Sequence, residues 1–186
     1  MCSSDLAREL ESHPGTRITT AGLAAALNVS EAALYRHFAS KAKMFEALMD
    51  FAEESVFGII NTILAQEKDV SVRCERIMRL LLGFAERNPG ITRVLLGDAL
   101  VGEDDRLRAR VSQFFARIET QLKQVLRESK LTGEVKLIAP IDATASLLVA
   151  HAEGRMSRFV HSGFSSSPAE HWEEHWPLLE AALFSR

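Results

Sequence analysis

Residues 18–45, ITTAGLAAALNVSEAALYRHFASKAKMF, constrain this chain more than any other stretch. Thr19 is a good N-cap, since its hydroxyl can accept from a free backbone N–H of a first helical turn. Leu23, Ala24 and Leu27 then form one apolar stripe. Asn28 tolerates the left-handed conformation, so it can end the helix and turn the chain. Val29 plugs the corner. Ser30 caps a second helix, with Glu31 well placed in its first turn. Leu34 and Phe38 face inward from it at i and i+4. Ser40 caps a third helix, whose buried face opens with Met44, Phe45 and Leu48. Two short helices joined by a tight turn, the second exposed at its N-terminus, make a helix-turn-helix.

The outward residues of the second helix suit DNA. That helix spans about Glu31–His37, and Glu31, Ala32, Ala33, Tyr35 and Arg36 point away from the apolar pair. Alanine and tyrosine can touch thymine methyls, and arginine can reach guanine or a phosphate. Thr19, Thr20, Ser30, Tyr35, His37 and Lys41 surround them with donors for phosphate oxygens. The helix N-termini at Thr19 and Ser40 add backbone N–H groups for the same anions.

Charge sharpens this reading. Between His13 and Phe45 the chain carries Arg17, Arg36, Lys41 and Lys43 against Glu31 alone, a net of +3, whereas the whole 186-residue chain is at −3. A strongly basic chain would point to sequence-blind binding. Here a confined basic face sits on an acidic body. Apolar content of 47% in a chain of this length allows a sizeable core. No run of 18 apolar residues is present, so no membrane span is expected, and no signal peptide is visible. Cys2 and Cys74 fit no metal or redox spacing and are expected as free thiols in a reducing cytosol.

Everything else reads as helix, with glycine and proline as punctuation. A first helix is expected over about residues 4–13, with Leu6 and Leu10 inward. A long helix runs from 41 to about 65. Another spans about 71–88, with Ile77, Leu80, Leu81 and Phe84 buried, and is broken by Pro89-Gly90. A short apolar helix covers 90–100, and an amphipathic one follows from about 103 to 130. Residues 131–134, with Gly133, form a linker. The last two helices are about 139–161 and 168–184, separated by the loop SGFSSSP. The first of these offers Leu148, Ala152 and Met156, with the small residues Ala143, Ala150 and Gly154. The second offers Trp172, Trp176 and Leu179. This pair is more apolar than a monomer surface needs. It is the expected homodimer interface, a four-helix bundle formed with a symmetry mate. Two recognition helices related by a twofold would read a palindrome.

His171-Trp172-Glu173-Glu174-His175 matches H-x-x-E-H, an inverted zinc-protease helix motif. A catalytic zinc needs a third protein ligand, and Glu180 is the sole acidic residue after it. No phosphate loop, nucleophile elbow or paired-carboxylate motif occurs elsewhere. Neither an enzyme nor a bound metal or cofactor is expected.

The spacing LxxxLxVSxxxLYxHFxSK, here Leu23, Leu27, Val29, Ser30, Leu34, Tyr35, His37, Phe38, Ser40 and Lys41, closely resembles the TetR family of bacterial regulators. That resemblance implies an all-α homodimer of about nine helices per subunit. A DNA-binding domain over residues 1–45 would precede a helical regulatory and dimerisation domain over 46–186.

A narrower resemblance, to nucleoid occlusion factors within that family, covers almost the whole chain, most specifically through LLLGFAERNPGITRVLLGDAL at 80–100. It implies a cytoplasmic, nucleoid-associated protein bound at palindromic chromosomal sites. There, with several dimers able to gather on one site, it would capture FtsZ, the tubulin-like division protein, and block ring assembly. By the same resemblance the FtsZ groove lies between the helices starting near 41 and 71, with Phe51, Leu80, Gly83, Arg87 and Asn88 at matching positions. Two departures accompany it. The opening MCSSDLARELE sets Asp5, Glu9 and Glu11 against Arg8 where the family carries a basic arm, so weaker phosphate contact is expected. Ile59 stands where the resemblance implies an arginine, so one charged contact to FtsZ would be missing. The competing expectation is a small-molecule-responsive repressor on the same fold, which would need a closed pocket with convergent polar groups in the C-terminal domain.

Overall fold

The structure, a computed structural model, describes residues 7, 11, 19–21, 24, 30–132 and 136–185. Cys2, Leu6, Leu10, Leu23, Leu27, Asn28 and Val29 lie outside the described residues, as does Gly133. Ala7, Glu11, Thr20, Ala21 and Ala24 are helical, and Thr19 stands just before its helix, which agrees with the N-cap expected there.

Seven α-helices follow among the described residues. Helix α1 is Glu31–His37. Ser30, in extended conformation, caps it by accepting from the Ala33 N–H at 3.1 Å. Ser40 caps α2, Lys41–Gln66, in the same way through the Lys43 N–H at 3.2 Å. Helix α3, Val70–Arg87, is capped by Asp69, which accepts from the Val72 N–H at 2.9 Å. Pro89 opens the short α4, Pro89–Leu95, at a position where its missing N–H is of no consequence. A single 3₁₀ turn, Asp98–Leu100, connects to α5, Asp105–Thr132. Helices α6, Ile141–His161, and α7, Trp172–Leu183, complete the fold. About nine helices were expected; the first two of them fall in the region that is described only in part.

The core is built by helix faces. Along α2, Met44, Phe45, Leu48, Met49, Ala52, Val56, Ile60 and Ile63 are buried at three- and four-residue spacing. This face packs α2 onto α3, α4 and α5, while α6 closes over α3 and α5. Leu34 is fully buried and Phe38 packs against the same core, so the small N-terminal unit is continuous with the body. The division at residue 45 falls inside α2, which crosses it unbroken. Arg93 is also fully buried and donates to Asp98 Oδ2 at 2.5 Å, pinning the 3₁₀ turn to α4. Cys74 is buried, and burial pushes its thiol up to about 12, so it is a small core residue without thiolate reactivity.

Three features differ from the sequence expectation. The helix expected over 90–100 stops at Leu95, since Gly97 takes a left-handed conformation (φ 79), and Asp98–Leu100 forms the 3₁₀ turn. The last helix begins at Trp172 instead of near 168, because His171 takes a left-handed conformation (φ 58) that interrupts helical continuity. And Phe184–Ser185 pairs antiparallel with Lys136–Leu137, Leu137 facing Phe184 in register. Two-residue strands carry no periodicity, so the pattern of the sequence does not announce them. No described helix is long and apolar enough to cross a membrane.

Candidate nucleic-acid interface

Helix α1 is held by one buried residue, Leu34. Everything around Leu34 therefore faces out: Ser30, Glu31, Ala32, Tyr35, Arg36 and His37 are exposed and Ala33 is partly so. The Tyr35 hydroxyl donates to Thr20 Oγ1 at 3.4 Å, tying this helix to the preceding one while 45% of the tyrosine stays open. Thr19 is exposed and Thr20 half-buried at the same edge. Nine of the ten expected DNA-facing residues are thus exposed or partly exposed, and Tyr35 and Thr20 are in direct contact. Such a surface can enter a major groove with Ala32 and Ala33 against base edges and the polar groups on phosphates.

Lys41, the tenth, stands differently. Its ammonium donates to Glu103 Oε1 at 2.5 Å, with only 17% and 13% of the two side chains exposed. It also lies 5.6 Å from the centroid of the Phe45 ring. Sequence reasoning placed Lys41 on phosphate and missed Glu103 altogether. Sixty-two positions separate the pair, and nothing in the local spacing of either residue reports the other.

The residues expected in the groove lie on α2 and α3, or at the end of α3. Phe51 is 44% exposed, and its ring lies 6.4 Å from that of Phe84, tilted by 36°. Ile59, two turns further along α2, is 46% exposed. On α3, Leu80, Gly83 and Arg87 fall on one stripe, Leu80 buried and Arg87 exposed. Asn88 spends one amide hydrogen on the Phe84 carbonyl at 2.8 Å, so it closes α3 as well as bordering the groove.

The dimerisation expectation is corrected in its detail. Leu148, Ala152, Met156 and Trp172 are each at most 4% exposed and belong to the protomer's own core. Trp172 further donates its indole N–H to Glu75 Oε1 at 2.7 Å, while Trp176 and Leu179 are partly buried against the same core. The face left open on α6 is the neighbouring stripe Ala143, Leu147, Ala150 and Gly154, with Leu147 at 49% exposed. Its counterpart on α7 is Leu178 at 70%. Adjacent leucines at 147 and 148 make both sides of α6 apolar, so the pattern alone does not say which side meets the core.

His171 and His175 place their rings 6.2 Å apart. Among the described residues no group of three or more His, Cys, Asp or Glu is arranged to hold a metal ion.

Residues 5–48 match the model of bacterial regulatory proteins of the tetR family, and residues 68–184 match a tetracyclin repressor-like C-terminal domain. The chain belongs to the TetR family of bacterial regulators, a class that binds DNA through its helix-turn-helix. Within that family it groups with the nucleoid occlusion factors SlmA. It is 56% identical to SlmA of Shewanella woodyi over 96% of this chain and 90% of that protein. To SlmA of Colwellia psychrerythraea it is 56% identical over 95% and 89%. Among solved structures the fold is shared with the MbdR regulator from Azoarcus (TM-score 0.80, 14% identity, 96% and 97% of the two chains). It is also shared with the fatty acid degradation regulator FadR from Bacillus halodurans (TM-score 0.76, 12% identity, 95% and 91% covered). At such identity these two show the fold alone.

Proposed function

We propose that this protein is a DNA-dependent division inhibitor. As a homodimer it binds palindromic chromosomal sites through α1 and, while bound, captures FtsZ in the α2–α3 groove, preventing ring assembly over the nucleoid. It acts by binding, without a catalytic step, in the cytoplasm on nucleoid DNA. The observation that supports the reading is that one helix, α2, starts directly after the helix-turn-helix, at Lys41, and carries the half-exposed Phe51. DNA and a protein partner therefore meet opposite parts of one rigid element. An extended segment of FtsZ would lay apolar side chains over Phe51, Ile59 and Leu80 and an acidic group on Arg87. Asn88, with one amide hydrogen still available, would add a donor at the end of Gly83's helix. Ile59 supplies apolar area and no charge.

The open stripe on α6 and Leu178 on α7 support dimerisation, because burying them against a second copy completes a four-helix bundle. The alternative of a ligand-gated repressor would need an enclosed pocket in the C-terminal domain. Among the described residues, one cleft of about 390 Å³ between α2 and α5 is open and lined by Glu46, Arg106, Leu107, Ala109, Arg110 and Gln113, a charged site that does not favour it.

The test is FtsZ sedimentation in the presence of GTP, with the protein alone and with a duplex it binds. Inhibition that appears only with DNA, and that Phe51→Ala abolishes while DNA binding persists, is the expected result. Confirmed DNA binding with no effect on FtsZ would overturn the division-inhibitor reading.

A further inference from the structure

The acidic partner of Lys41 comes from outside the DNA-binding unit. Arg36 is exposed, and Lys43 pairs with Glu46 along its own helix. Lys41 instead reaches Glu103, on the connection between the 3₁₀ turn and α5. The two charges meet at 2.5 Å and are largely shielded from water, where screening by salt is weak. They sit at the N-terminus of a 26-residue helix, whose dipole favours an anion in that place. A carboxylate there presents what a DNA phosphodiester would present: a single negative charge on two oxygens within reach of one ammonium.

The connection that carries Glu103 is fastened unevenly. Its start is fixed by the buried Arg93, which holds Asp98 at 2.5 Å. Its end is held by Glu103, which follows Gly102, a left-handed glycine (φ 80), and whose N–H donates to the Leu100 carbonyl at 3.0 Å. Gly102 separates the two fastenings, so the Asp98 end and the Glu103 end are held by different contacts.

We infer that Glu103 is an internal stand-in for a DNA phosphate: it occupies the Lys41 ammonium in the unbound protein, and a phosphodiester displaces it on binding. This rests on the reading of α1 and α2 as a DNA-binding surface. The exchange makes Glu103 a brake on affinity, because each binding event must first free Lys41. It also carries the event to α5, since the released segment leads directly into that helix.

The experiment is fluorescence anisotropy of a short, labelled mixed-sequence duplex across a salt series, since phosphate contacts are independent of sequence. Glu103→Gln should bind roughly threefold to tenfold tighter at low salt, since the same phosphate contact then forms without first breaking the ion pair. In the Lys41→Gln background the same substitution should add no comparable tightening. Unchanged or weaker binding by Glu103→Gln overturns the inference, as does equal tightening with and without Lys41, which would reduce Glu103 to a share of the net charge. Amide hydrogen exchange on the unsubstituted protein is a check independent of how the variants fold. Saturating duplex should speed exchange at Glu103, and undiminished protection there overturns the displacement. If the unsubstituted protein binds no duplex even at low salt, the DNA-binding reading itself falls and the inference with it.

Discussion

At the scale of single residues, two glycines, one on α2 and one on α3, separate stability from recognition. Gly58 lies inside α2, and a Cβ added there meets nothing within 4 Å. Gly58→Ala should raise stability by about 0.5–1 kcal/mol, through the smaller conformational freedom of the unfolded chain, as read from denaturant midpoints. Gly83 differs, because a Cβ there would come 3.3 Å from Nη1 of Arg87. Helix propensity would gain about 1 kcal/mol at most, while the guanidinium would be pushed from its present position. Gly83→Ala should thus leave the melting temperature nearly unchanged and weaken binding of an extended, acidic FtsZ peptide severalfold in a titration. Equal peptide affinity would show that the placement of Arg87 does not matter. The space above Gly83 is filled by Arg87, the residue expected to meet FtsZ.

Among elements, the seam between α6 and α7 holds the clearest response to pH. The His151 and His175 rings meet edge to face at 6.0 Å, and His151 Nε2 and His175 Nδ1 are buried with no hydrogen-bond partner. Burial first, then His175 and Arg155, lowers the His151 pKa below its ordinary 6.5. The unfolded chain therefore takes up this proton at a higher pH than the folded one. The stability that depends on a neutral His151 is whole above about pH 6.5 and drains away as the pH falls below it. Urea midpoints measured through this window should fall with acid, and His151→Gln should flatten that fall; an identical slope in the variant would rule His151 out as its source. The same helices show what a sequence does and does not disclose. Ends were legible wherever a cap or breaker stood: Ser30, Ser40 and Pro89 each mark a boundary the structure reproduces. Buried faces were legible where one side was apolar, as along Met44, Phe45 and Leu48. On α6, apolar all round near Leu147 and Leu148, the face was not legible. The Lys41–Glu103 pair and the Leu137–Phe184 register join distant segments, and no local pattern encodes them.

For the molecule as a whole, the open stripe of α6 and α7 decides whether one recognition helix or two can act. Leu178→Glu, at a position 70% exposed in the protomer, should cost little monomer stability and convert dimer to monomer in analytical ultracentrifugation. Affinity for a two-half-site duplex would fall with it, to that of a single helix reading one groove. A Leu178→Glu protein that still sediments as a dimer would move the interface elsewhere. Helix α2 runs unbroken for 26 residues, about 39 Å at 1.5 Å per residue, and in the proposed reading it links the DNA face to the groove. It behaves as a shaft, and a shaft transmits angle as well as distance. Adding or deleting one residue between Lys41 and Phe51 would turn the whole reading head by about 100° relative to the groove. Loops in such a protein can grow or shrink freely, whereas the residue count of this helix is a timing mark that keeps the two binding faces in phase.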